Sequence, residues 1–170
     1  MTNDPLQDEL DRVLRERKQH DMGQTVAALR PLLEKHPNDA RVLFEVADAF
    51  DVSGEPALAR IYYRRALDNG ASGDLRRRCL LQLSATLSTL GLPAESGEAI
   101  AQAREEFPQS VAVGAFAALS LPAEGRRDAA IGSLIMLLTD LVTAEELVRY
   151  KPELRATAEY LISLDLATDR

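Results

Sequence analysis

The sequence predicts an all-α protein built from stacked antiparallel helix pairs. Three observations carry this. Apolar residues recur three and four apart through most of the chain, the spacing that gathers them on one face of a helix. Turn glycines recur at a near-constant interval, Gly54, Gly91 and Gly125 being 37 and 34 residues apart. Leu and Ala dominate, Trp is absent, and only four Phe and four Tyr occur, a composition that favours helices over strands.

The first helix is expected from Leu6 to about Lys18, with Leu6, Leu10, Val13 and Leu14 on one face. Its acids Asp8, Glu9 and Asp11 come early and Arg15, Arg17 and Lys18 late, as the helix dipole prefers. His20, Asp21 and Gly23 are expected to form the turn, and Thr25–His36 the return helix, with Pro31 inside it as a kink or a delayed start. The second hairpin is the most regular. Val42, Leu43, Val46, Ala47 and Phe50 face inward, then Leu58, Ala59, Tyr62, Tyr63, Ala66 and Leu67. Between them Gly54 can end one helix at positive φ and Pro56 can open the next.

In the third hairpin Leu80, Leu83, Ser84 and Leu87 face inward. Gly91 and Pro93 turn the chain, and Ser96, Ile100 and Ala103 line the return. Asp74 is expected to cap its first helix, ahead of Arg76, Arg77 and Arg78. The fourth runs from Val111 to Leu121 and, after Gly125, from Arg126 to Thr139, with Ala130, Leu134 and Leu137 inward. Closing helices follow at Ala144–Tyr150 and Glu153–Leu166. The boundaries are thus hairpins at about 6–39, 40–73, 77–110 and 111–144 and capping helices at 144–166, all in one domain of 170 residues.

A finer repeat sits inside this period. Five residues past each turn glycine comes a small residue, Ala59, Ser96 or Ala130. Four further on come Tyr63, Ile100 and Leu134, and three beyond those Ala66, Ala103 and Leu137. A period of about 34 residues made of helix, turn and helix is the signature of tetratricopeptide repeats. The chain resembles that family. The stretches ARVLFEVADAFDVSGE, YYRRALDNG, LRRRCLLQLSATL and VAVGAFAALSLPAEGRRDAAIGSL are similar to those of a small bacterial group of such proteins of unassigned biochemical role. The large aromatic usual near the start of each first helix is replaced by Leu43, by Leu80 and, in the fourth unit, by Gly114. The resemblance implies a right-handed superhelix and a role in protein–protein contact, and no reaction.

In such an array the first helices of successive hairpins line a concave face. The register places Arg41, Phe44, Glu45, Asp48 and Asp51 there, then Arg78, Leu81 and Gln82, then Phe116. Phe44, Leu81 and Phe116 beside acids suit a peptide or helix laid into the groove, or another copy of the chain. The alternative is a structural or oligomer-forming protein whose groove these residues fill themselves, with an arginine paired to Glu45 or Asp48 across it. A clamp for a C-terminal carboxylate is disfavoured, because Phe44 and Asp48 stand where basic and amide side chains would be needed.

Chemistry has little to work with. His20 and His36 have no cysteine companion, no metal-binding spacing occurs, and neither GxGxxG nor GxxxxGK is present. No cofactor is expected, and an enzyme is the weakest reading. Cys79 permits no internal disulfide and is expected to be buried. The formal charge of −7 argues against a nucleic-acid partner, and the apolar stretches are too interrupted to span a membrane. A cytoplasmic protein is the expectation.

Overall fold

The computed structural model describes residues 4–17 and 22–167. All the regular structure among them is helical. The chain divides into two compact units, Met1–Leu92 and Pro93–Arg170.

The N-terminal unit contains α1 (Pro5–Arg15), α2 (Met22–Lys35), α3 (Ala40–Val52), α4 (Pro56–Asp68) and α5 (Gly73–Thr89). Helix α3 is its centre, packed against α2, α4 and α5. Asp39 starts it, its carboxylate accepting from the N–H groups of Arg41 and Val42 at 3.0 and 2.9 Å. Leu10 and Val13 of α1, Met22, Leu29 and Leu32 of α2, and Val42, Val46 and Ala49 of α3 form one core. Helix α2 continues through Pro31, so that proline removes one ladder bond and does not delay the start. Gly23 lies inside α2 rather than in the turn expected there. His20 and Asp21 fall outside the described residues.

The turn glycines behave alike. Gly54, Gly91 and Gly125 have φ of 82°, 71° and 82°, in the left-handed region that side chains with a Cβ avoid. At each, the next residue's N–H reaches back five residues: Glu55 to Phe50 O, Leu92 to Leu87 O, Arg126 to Leu121 O. That is the Schellman arrangement. Pro56 opens α4 in the position where a missing N–H costs nothing.

Helix α5 begins at Gly73, earlier than expected. Asp74 therefore lies in its first turn and does not cap it; the N-cap is Ser72, with no side-chain bond. Asp74 instead accepts from Arg77, which holds its carboxyl below the ordinary range.

The C-terminal unit contains α6 (Pro93–Glu106), α7 (Val111–Ser120), a single 3-10 turn (Leu121–Glu124), α8 (Arg127–Leu141), the one-turn α9 (Glu145–Val148) and α10 (Lys151–Ala167). Helix α7 packs on α6 and α8, and α10 lies along α8. Gly132 makes that last approach possible. A Cβ there would sit 2.6 Å from the Ala158 carbonyl oxygen and 2.9 Å from Ile162 Cγ1. Asp165, near the end of α10, accepts from the Ala129 N–H at 2.7 Å. It supplies the side-chain cap that Arg126 does not give α8.

The small residues Ala59, Ser96 and Ala130 are all buried, as are Tyr63 and Ile100 and, after them, Ala66 and Ala103. Leu134 breaks the series. Expected inward, it is exposed, and Ala129, Gly132 and Thr139 take the interior of α8 instead. Leu137 lies against Gly114, where a Cβ would sit 3.1 Å from Leu137 Cδ2.

Candidate functional site

The residues expected to line the groove of the N-terminal unit lie on α3 and α5, with α1 beside them. They form a network of charges over aromatic rings. Arg41, half-buried, donates to Gln7 and to Asp11 of α1. Asp48, one helical turn past Phe44, accepts from Arg17 at 2.5 Å in an ion pair with both side chains largely covered. Asp51 accepts from Thr86 of α5 at 3.0 Å, a hydroxyl shared with the Gln82 carbonyl at 2.8 Å. Arg78 of α5 lays its guanidinium over the Phe44 ring, 4.4 Å from the centroid.

Phe44 is only 1% exposed. Tyr63 packs against it with ring centroids 5.7 Å apart and a tilt of 54°, and Arg78 covers it, so its ring is enclosed rather than presented. Leu81 is buried as well. The rim of this face is accordingly polar, where the sequence points to an apolar one at Phe44 and Leu81. Gln82 is half-buried beside them. Phe116, on α7 of the C-terminal unit, is half-buried. In that unit a cavity of about 260 Å³ opens beside Gly114, lined by Ala117, Leu121, Met136 and Leu137 with Arg104 and Asp140.

Glu45 is the focus of the network. It is 4% exposed, and burial pushes its carboxyl above the ordinary glutamate range. Arg78, Arg41 and Arg17 oppose that push, while Asp48 adds to it. Asp51 is raised for the same first reason, partly offset by the Thr86 hydrogen bond. The Tyr63 hydroxyl is buried with no hydrogen-bond partner in the protein, and its acidity is strongly suppressed by burial and then by Asp48 and Asp51. Cys79 is fully buried and its thiol pushed up to about 12, so it packs as a small apolar group. Among the described residues no group of His, Cys, Asp and Glu converges where a metal ion could be held.

The structure thus brings Arg41, Glu45, Asp48 and Arg78 into one electrostatic cluster. Sequence reasoning pairs an arginine of the Arg76–Arg78 run with Glu45 or Asp48. Asp48 pairs with Arg17, while Arg78 lies over the Phe44 ring and is the cation that most opposes the rise in the Glu45 carboxyl. In the sequence Arg17 stands out only as a charge at the end of α1. The signal that finds it is the repeat itself. The cross-helix contacts join residues 31, 34, 30 and 35 positions apart, each close to one period.

The family profile described as Tetratrico peptide repeat matches residues 40–161. The chain belongs to the tetratricopeptide-repeat family. The crystal structure of MamA is similar in fold, with 13% identity and a TM-score of 0.63 over 99% of this chain and 96% of that one. No curated protein matches the chain. The charge network is carried by α1, α3 and α5, the first helices of their hairpins. No helix among the described residues is long and apolar enough to cross a membrane.

Proposed function

We propose that the protein is a non-catalytic protein-interaction module of the cytoplasm, and that the α1–α3–α5 face of its N-terminal unit receives a peptide or helix of mixed charge. The observation that supports this most is the price in solvation this face bears. Glu45 is buried with its carboxyl raised, and two arginines are tied down in half-buried pairs, where apolar residues would hold the helices together at lower cost. A partner segment carrying acids and bases exchanges these internal pairs for its own, and displacement of the Arg78 guanidinium uncovers Phe44 for an apolar side chain. Phe116 on α7 is a second candidate contact, in the C-terminal unit.

The test is affinity capture from native extract with the full chain beside Asp48→Arg, Arg78→Glu and Gln82→Arg variants. Loss of a specific partner by these variants, with helical circular dichroism unchanged, supports the reading; identical capture by all of them defeats it. A second reading draws on the burial of Phe44 and Leu81. In it the groove is filled by the chain's own side chains and the protein is structural or self-associating. That reading expects no partner other than a further copy.

A further inference from the structure

Two buried polar groups on the α3 side of the N-terminal unit lack a hydrogen-bond donor or acceptor. The acids Glu45, Asp48 and Asp51 stand three apart on α3, in one line along the helix. Burial and then the charges of Asp48, Asp51, Cys79 and Glu45, in that order, suppress ionisation of the Tyr63 hydroxyl on α4, so this hydroxyl lies against the line of acids. Tyr63 is fully buried, and its hydroxyl has no hydrogen-bond partner in the protein. Glu45 is buried too. No side chain among the described residues donates to its carboxyl, on which burial and neighbouring charges alone act. A buried hydroxyl or carboxyl left in this state is destabilising, and folded proteins keep few of them.

The cations nearby are committed elsewhere. Arg17 is held by Asp48, and Arg41 by Gln7 and Asp11. Arg78 is exposed and rests its guanidinium on the Phe44 ring. Asp48 and Asp51 have donors of their own, Arg17 and the Thr86 hydroxyl, so Glu45 is the acid of the three without one. A group that completes it from outside the chain must be positive, since two further carboxyls flank it. A bare metal ion does not answer, because among the described residues no acids converge to hold one. A side-chain ammonium or guanidinium does, because it brings several N–H donors that can serve separate acceptors. We infer that the partner segment inserts a lysine or arginine side chain beside Glu45 and the Tyr63 hydroxyl, its N–H groups donating to both. The way in lies past Arg78, the exposed side chain that covers this part of α3. The inference rests on the groove reading above and gives its partner one required residue type.

Pools of short capped peptides test it, each pool with randomised flanks and one fixed central residue, which is lysine, arginine, norleucine or glutamate. They are passed over the immobilised full chain, wild type beside Glu45→Gln and Tyr63→Phe. The wild type is expected to retain the lysine or arginine pool several-fold more than the norleucine and glutamate pools. Each variant keeps the shape of its side chain and sheds the unpaired group. Each is therefore expected to unfold no earlier than the wild type at neutral pH and yet to lose the preference. A merely structural role for these two groups leaves the preference untouched. Equal retention of all pools by the wild type, including none, or a preference that survives in both variants overturns the inference. Native-extract capture separates its failure from that of the groove reading. A partner lost by Asp48→Arg but kept by Glu45→Gln and Tyr63→Phe leaves the groove a binding face and removes this basic subsite from it.

Discussion

Helices α4 and α8 are the return arms of two hairpins, one in each unit, and their matching positions are filled in opposite ways. In α4 the positions five, nine and twelve past the turn glycine are Ala59, Tyr63 and Ala66, all fully buried. In α8 they are Ala130, Leu134 and Leu137, and the middle one faces solvent. The facing helices differ too. Helix α3 offers Phe44, against which Tyr63 packs, whereas α7 offers Gly114, with Leu137 lying against it. The two arms agree at their first position and part at the second, where the preceding helix offers a ring in one unit and no side chain in the other.

The sharpest way to break that comparison is truncation at the same repeat position in both units. Tyr63→Ala removes a side chain enclosed on every side and is expected to cost about 3–5 kcal/mol. Leu134→Ala removes an exposed one and is expected to fall within about 0.5 kcal/mol of the wild type. Denaturant unfolding followed by circular dichroism measures both. Equal losses would mean that the two hairpins share one register after all.

Gly132 sharpens the picture on the C-terminal side. Gly132→Ala thrusts a methyl group against the Ala158 carbonyl, which is backbone and cannot swing aside, and is expected to cost about 1–3 kcal/mol by overpacking. Gly97, on α6 of the same unit, has open space where a methyl group would stand. Gly97→Ala is expected to stabilise by about 0.5–1 kcal/mol through helix propensity alone. Thermal midpoints moving in opposite directions would confirm that α8 and α10 are held by close backbone approach. A tolerated Gly132→Ala would show that α10 can lift away from α8.

The period, the turn glycines and the small residues at Ala59, Ser96 and Ala130 are legible in the sequence, because each answers to a local rule of turn geometry or close helix packing. The sequence also holds more of the network than its apolar pattern reveals, since the partners of Arg41, Asp48 and Asp51 lie about one period away. The facing of α8 is not legible. Its sequence, RDAAIGSLIMLLTDL, is apolar almost all round and so marks no single inward side. The enclosure of Phe44 is not legible either, because it depends on where the Arg78 side chain comes to rest, a tertiary choice that helical spacing does not encode.

The smallest expected effect concerns charge, which separates the N-terminal unit's α3 from its apolar counterpart α7. Glu45 binds its proton more tightly in the folded chain than in the unfolded one, whose ordinary value is 4.5. Between that value and its raised folded value the folded state holds more protons, so the Glu45 contribution to stability falls as pH rises through the window. Below 4.5 both states are protonated and the penalty is absent; above the window it is present in full. Glu45→Gln keeps the shape and removes the titration. It is expected to match the wild type in acid and to be the more stable of the two at neutral pH, the gap opening as pH rises. Amide exchange in α3, compared between the two proteins across that range, reads the effect where it arises. A gap that stayed constant with pH, or one that opened toward acid, would show that Arg78, Arg41 and Arg17 outweigh the cost of burial. Glu45 would then be a structural anion and not a strained one.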